Sequence, residues 1–259
     1  MSKSLLWPIV HTLAVAATIL VNGLANALPL NNLTTGEISD RFQVLFTPAG
    51  YVFSIWGLIY LGLILFAVFP FLPANRGNPR LARIGPWFLV ASAANIAWIF
   101  LWHYEAFWWT LPVMLALFGS LLVIYLRLDI GRTEVPSRER WMVHHPFSLY
   151  LGWVTVATIA NVTALLYLAG WNGWGVSTQA WTVIMIGAAA ALACLLTLTR
   201  RDVVFPLVVV WALAGIAIKN AVAPIVLGAA WFACLIVLGG MIAGWLQRRG
   251  PKGVAAPIT

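Results

Sequence analysis

Few side chains in this sequence could do acid–base, nucleophilic or metal chemistry. The sequence has no H-E-x-x-H zinc pattern, no Cys and His spacing typical of a metal site, no phosphate-binding loop and no nucleophile elbow. All seven acids are expected in loops or at the ends of apolar segments: Glu37, Asp40, Glu105, Asp129, Glu134, Glu139 and Asp202. The sequence therefore predicts no catalytic residue and no metal ligand. It also disfavours ion-coupled transport, which usually needs a carboxylate or His at membrane depth.

Aromatic and amide side chains do recur at helical spacing in three apolar segments. They are Trp56 and Tyr60, then Asn95 and Trp98, and then Trp153, Ala157 and Asn161. Residues three or four apart share a helix face, so each segment carries one mixed stripe. Such stripes could form flat apolar walls with a few hydrogen-bonding groups, which would suit a large planar ligand. They could instead join neighbouring helices by hydrogen bonds and packing. Periodicity alone favours this structural role over a ligand pocket.

The elements that carry these stripes are predicted to be transmembrane helices. Of the 259 residues, 62% are apolar and only 8% are charged, and mean hydropathy is +0.93. Soluble domains have about 25% charged residues, so most of this surface must face lipid. Eight apolar runs are long enough to cross a bilayer as helices. They cover residues 7–28, 50–72, 86–102, 108–127, 147–169, 179–199, 203–221 and 224–246.

The distribution of basic residues predicts the orientation of these spans. Thirteen of the 15 Lys and Arg residues fall in connections on one side, and only Arg41 and Lys219 fall on the other. Basic loops stay in the cytoplasm, so an even number of spans places both termini there. The net charge of +8 is thus explained by topology. Nucleic-acid binding is disfavoured because the basic residues form no clustered face.

Three sequence blocks resemble the TspO/MBR family, the tryptophan-rich sensory proteins related to the peripheral benzodiazepine receptor or translocator protein. Residues 47–56 (TPAGYVFSIW), with Tyr60 downstream, are similar to the family's P-x-W-V-F-x-x-x-W-x-x-x-Y stretch. Residues 94–98 (ANIAW) are similar to F-N-x-x-W. Residues 146–153 (PFSLYLGW), continuing to Ala157 and Asn161, are similar to P-Y-x-x-W-x-x-x-A-T-x-x-N. The resemblance covers roughly residues 10–170.

This resemblance implies a five-helix bundle around a pocket for porphyrins, haem-related tetrapyrroles, sterols or drug-like molecules. By resemblance, the pocket is lined by Trp56, Tyr60, Asn95, Trp98, Trp153 and Ala157, while Asn161 closes its helix against a neighbour. The implied protein is a non-catalytic receptor in contact with membrane lipid. Porphyrin or haem would be its ligand, and no cofactor is obligatory. Porphyrin degradation has precedent in the family, but the sequence offers no acid–base pair for it.

Two departures from the family pattern concern the predicted lid and the chain length. The loop at residues 29–46, expected to be a lid outside the cytoplasm, has Phe42 and Phe46 as its only aromatics. The predicted ligand-binding core covers residues 1–170, and residues 171–259 form a three-helix extension with a short basic tail. Such long forms resemble a bacterial branch of the family, which implies an inner-membrane location. The extension could cover a dimerisation surface or dock on another membrane complex. The second possibility supports an alternative role as an accessory subunit of a pigment–protein or respiratory assembly.

Overall fold

A computed structural model describes residues 3–28 and 30–249. Pro29 of the predicted lid and residues 250–259, which include the end of the predicted basic tail, lie outside these ranges. The described residues form helices and short turns, with no strand among them. The helices are α1 (Lys3–Ala27), α2 (Thr35–Asp40), α3 (Ile55–Val68), α4 (Pro79–His103), α5 (Phe107–Arg127), α6 (Ser137–Leu168), α7 (Thr178–Arg200), α8 (Val204–Lys219) and α9 (Pro224–Arg249). The predicted all-α transmembrane bundle is confirmed.

Seven helical segments in the described ranges are long and apolar enough to cross a membrane. The predicted eighth span, residues 203–221, is α8, which has only 16 residues. It nevertheless runs from one end of the bundle to the other. Asp202, just before α8, accepts a hydrogen bond from Tyr125 near the end of α5. At the opposite end, Lys219 forms an ion pair with Asp40 of α2.

Two helices begin earlier than the hydropathy pattern predicts. We expected starts at residues 86 and 147, whereas α4 begins at Pro79 and α6 at Ser137, through a π turn at Arg140–His144. An ion pair accounts for the extra turns. Arg80 lies 3.1 Å from the Glu139 carboxylate, whose side chain is only 8% exposed. Each charge is therefore compensated, and the helices can continue past the apolar runs.

Helix α8 is the part of the extension that contacts the predicted core most closely. It packs against α6 and against the turn that leads into α3. The Ala49 backbone N–H donates to the Gly215 carbonyl at 3.2 Å, and the Trp211 indole N–H donates to the Val52 carbonyl at 3.1 Å. Gly215 permits this approach, because a Cβ added there would lie 2.2 Å from Val52 Cγ2.

We expect Gly215→Val to destabilise the protein by about 1–3 kcal/mol, as overpacking of a tight contact does. The added side chain would push α8 away from the turn before α3 and lower the thermal unfolding midpoint in detergent. Gly187→Val in α7 is the matched control, since a Cβ there meets no atom within 4 Å. The two variants introduce the same β-branched residue into a helix. Equal midpoints for both would contradict the close-packing argument.

Candidate ligand-binding site

Residues 30–46 cover one end of the bundle, and we call this segment the lid. Its short helix α2 begins with a capping box, in which Thr34 Oγ1 accepts from the Glu37 N–H and the Glu37 carboxylate accepts from the Thr34 N–H. The two lid aromatics are buried, with Phe42 only 6% and Phe46 only 1% exposed. The Phe42 ring packs 5.6 Å from the ring of Trp102. Phenylalanine side chains therefore anchor the lid to the bundle.

The C-terminal end of α4 holds the first half of the lid by hydrogen bonds. His103 is fully buried, and its two ring nitrogens lie 3.0 Å from the Leu30 carbonyl and 3.1 Å from Thr35 Oγ1. The Trp102 indole N–H donates to the Thr35 carbonyl at 3.2 Å. The lid is thus closed over the bundle in this structure.

Two ion pairs hold the second half of the lid. Arg41 donates to both carboxylate oxygens of Glu105, which lies just beyond α4. The neighbouring residue Asp40 bonds to Lys219 at the end of α8. Arg41 and Lys219 are the two basic residues that the sequence predicts for this side of the membrane. Both are paired with acids, and each pair joins the lid to a different helix.

A small inner cavity of about 50 Å³ lies behind the lid, between α4, α6 and the turn before α3. Its walls include Phe53, Trp98, Trp102, Trp153, Ala157 and Asn161. One water needs about 10–15 Å³ by this kind of measure. The inner cavity as it stands therefore has room for a few waters and is too small for a tetrapyrrole.

A larger outer cavity of about 480 Å³ opens between α1, the lid and α3. Asn22 and Glu37 lie on its wall, and its aromatic face is formed by Trp56 and Tyr60. These two rings stack with centroids 5.6 Å apart and an angle of 22° between their planes. Its volume falls in the range typical of small-molecule sites. Phe53 and Thr35 line both cavities and therefore lie between them.

The predicted site residues are distributed over these two cavities. Trp56 and Tyr60 line the outer cavity, Trp98, Trp153, Ala157 and Asn161 line the inner one, and Asn95 lines neither. The two Asn side chains are engaged between helices. Asn95 accepts from Asn22 of α1 at 2.6 Å and donates to the hydroxyl of Tyr150 on α6 at 2.9 Å. Its amide is therefore occupied by the bundle.

Asn161 has a similar set of bonds on α6. It accepts from the Trp98 indole N–H at 3.2 Å and donates to Thr110 Oγ1 at 2.8 Å, which ties α6 to α4 and α5. The Trp98 ring stacks on Trp102 with centroids 5.1 Å apart. The polar groups of Trp98 and Asn161 thus hydrogen-bond to neighbouring helices and stabilise the cavity wall.

Comparison with known proteins assigns the sequence to a family. The sequence model described as TSPO-like protein matches residues 8–243. The chain belongs to the TSPO-like protein family. The TSPO-like match extends through α7 and α8 into α9, so it includes the extension as well as the first five spans. The protein is thus an integral, multi-pass membrane protein of this family. No solved structure matches the chain.

Trp153 differs from the other polar groups of the inner cavity wall. It is 3% exposed, and its indole N–H has no hydrogen-bond partner among the residues that the structure describes. Its ring makes edge-to-face contacts with Phe53 and Trp56, at centroid distances of 5.7 Å and 6.2 Å. Buried N–H groups without a partner are rare and cost about 1–3 kcal/mol. Trp153 lines the inner cavity, and its indole N–H is not used by any described residue.

Several residues that shape the two cavities were not predicted as site residues. Phe53 divides the cavities, and Thr35 of the lid lines both. Trp102 ends the predicted span 86–102, a position typical of membrane-interface residues, but it is only 4% exposed and lines the inner cavity. Its spacing of four from Trp98 was the signal for this position. Asn22, a lone amide in an apolar run, was the corresponding signal for the bond to Asn95.

A double-mutant cycle tests the amide bond between α1 and α4. We expect Asn22→Ala and Asn95→Ala each to lower the free energy of unfolding by about 1–2 kcal/mol, because each leaves a buried partner unsatisfied. The double variant should lose less than the sum, by about 0.6–1.7 kcal/mol. Thermal or denaturant unfolding in one detergent measures the coupling. Asn75→Ala combined with Asn95→Ala is the control, since distant sites should add. Strictly additive losses of unfolding free energy for Asn22→Ala and Asn95→Ala would contradict a hydrogen bond between the two amides.

Acidification should loosen the lid. Hydrogen bonding and the positive charge of Arg41 lower the pKa of Glu105, and hydrogen bonds from Thr34 lower the pKa of Glu37. A lowered pKa means that the ionised carboxylate stabilises the fold above the ordinary value of 4.5, and that this contribution is lost as pH falls below it. Lid amide exchange, compared between wild type and Glu105→Gln at each pH, should differ near pH 7, and the difference should shrink as pH falls progressively below 4.5. A difference that does not shrink as pH falls would contradict this account.

Proposed function

We propose that the protein is a membrane-embedded binding or sensory protein that takes a hydrophobic planar ligand, of the tetrapyrrole type, into the cavities behind its lid. The unpartnered indole N–H of Trp153 carries this proposal. A ligand with a hydrogen-bond acceptor in the inner cavity would satisfy this donor, and aromatic walls would cover its apolar faces.

The sizes of the two cavities suggest how such a ligand would lie. Its flat body would rest in the outer cavity against the stacked rings of Trp56 and Tyr60. Only a substituent would reach the inner cavity, because about 50 Å³ holds no ring system. Phe53 stands between the two spaces. A rotation of the Phe53 ring would connect them, so this side chain would act as the gate for the substituent.

We further propose that the role is non-catalytic and that residues 171–259 support the binding part formed by residues 1–170. Besides the contacts of Trp211 and Gly215, Asn220 donates to the Leu45 carbonyl of the lid at 2.9 Å. Helix α8 would thus hold both the lid and the turn before α3. In a bacterial inner membrane with both termini in the cytoplasm, the lid would face the outside.

Titration with protoporphyrin and haem tests the proposed site, read from the absorption band of the ligand because the chain has 15 Trp residues. Trp153→Phe keeps an aromatic ring but removes the N–H. We expect affinity to fall roughly five-fold, which corresponds to the loss of about 1 kcal/mol for one hydrogen bond. Trp231→Phe is the control, since Trp231 is 45% exposed on α9.

Two results would count against the proposed function. Identical affinities for wild type and Trp153→Phe would remove the specific inner site. A stoichiometric membrane-protein partner after purification in mild detergent, together with no ligand binding, would instead favour the accessory-subunit role.

A further inference from the structure

The charges around the two cavities restrict the ligand further. Among the described residues that line either cavity there is no Lys, Arg or His. The inner cavity has apolar and uncharged polar walls only. The outer cavity has two charged residues on its wall, and both are acids, Glu37 and Asp40. A ligand with carboxylates would find no cation on either wall.

Both basic side chains near the lid are already paired with acids. Arg41 donates to both oxygens of Glu105, and Lys219 bonds to Asp40. Together with Glu37, these four groups give three carboxylates and two cations among the described residues at the lid end of the bundle. The Glu37 carboxylate is exposed, and hydrogen bonds from the N–H and hydroxyl of Thr34 favour its ionised form. The mouth of the outer cavity therefore carries a net negative charge at neutral pH.

This charge distribution acts differently on ligands that share one ring system. Moving an ionised carboxylate into an apolar cavity without a partner is costly. Keeping it at the mouth places it near the Glu37 carboxylate, which forms no ion pair with a described cation and repels a like charge even in a water-like medium. An uncharged group avoids both costs, and a cationic group would be attracted to the mouth.

We infer that the cavities select an uncharged or cationic planar amphiphile over the carboxylate-bearing analogue of the same ring. This inference rests on the proposed function, because it assumes that a planar ligand occupies the outer cavity. It makes Glu37 and Asp40 specificity-determining residues.

Three ligands with one ring system test the inference. They are protoporphyrin, which carries two carboxylates, its uncharged dimethyl ester, and its diamide with a dimethylaminoethyl group on each arm, which is doubly cationic. Affinities are measured in an uncharged detergent by the ligand absorption band. We expect the ester and the cationic diamide to bind on the order of three-fold or more tightly than the acid, from the Coulomb energy of charges roughly 7 Å apart in water.

Variants separate the effect of the mouth from differences in partitioning into detergent. Glu37→Gln should shrink the ratio of acid to ester dissociation constants, and Gln can keep the capping box of α2. Asp40→Asn should act in the same direction. Glu134→Gln is the control, because this exposed acid lies in the loop between α5 and α6. Its ratio should equal that of the wild type.

The outcomes distinguish a failure of the charge selection from a failure of the proposed function. Binding of all three ligands with the acid equal to or tighter than the ester overturns the charge selection and leaves the proposed function standing. A ratio that Glu37→Gln and Asp40→Asn do not change also overturns the inference. Failure of all three ligands to bind overturns the proposed function, and the charge selection falls with it.

Discussion

The bundle depends on one constraint, that a polar side chain inside a bilayer must find its hydrogen-bond partner within the protein. Asn95 meets this requirement between α1 and α6, through Asn22 and Tyr150. Asn161 meets it between α4 and α5, through Trp98 and Thr110. Apolar side chains give no strong preference for one neighbour over lipid, whereas an amide bonds only in one register. These few bonds therefore set the relative positions of four helices.

The same bonds determine what the cavities can offer a ligand. The amides of Asn95 and Asn161 are occupied by neighbouring helices, so they brace the walls. The indole N–H of Trp153 is left as a buried donor without a described partner. Recognition of a ligand would then depend on flat aromatic surfaces, one neutral donor and the acidic mouth at Glu37 and Asp40. Such a site discriminates by shape and charge more than by a dense set of hydrogen bonds.

Helix α8 gives the extension a structural connection to this site. Its C-terminal end bonds to the lid through Lys219 and Asn220, and its middle bonds to the turn before α3 through Trp211 and Gly215. At its other end, Asp202 accepts hydrogen bonds from Tyr125 and Ser148. The helix and its flanking residues thus contact the part formed by residues 1–170 at both ends and in the middle. A change in the position of α8 would be transmitted to the lid directly.

The sequence by itself determined the helical class, most of the spans and the family. Hydropathy and residue spacing are local properties, so they can be recognised along the chain without knowing which segments pack together. The resemblance to the family predicted Trp56, Tyr60, Trp98, Trp153 and Ala157 as walls of one pocket, whereas in the structure these residues line two cavities. Only the tertiary structure decided that Phe53 divides this space in two, that Asn95 lies behind the wall, and that the charged starts of α4 and α6 are helical. It also gave Trp211 a partner in the turn before α3. These outcomes depend on contacts between residues 50 to 160 positions apart, such as Arg80 with Glu139 or Val52 with Trp211. No local pattern records such distant pairs.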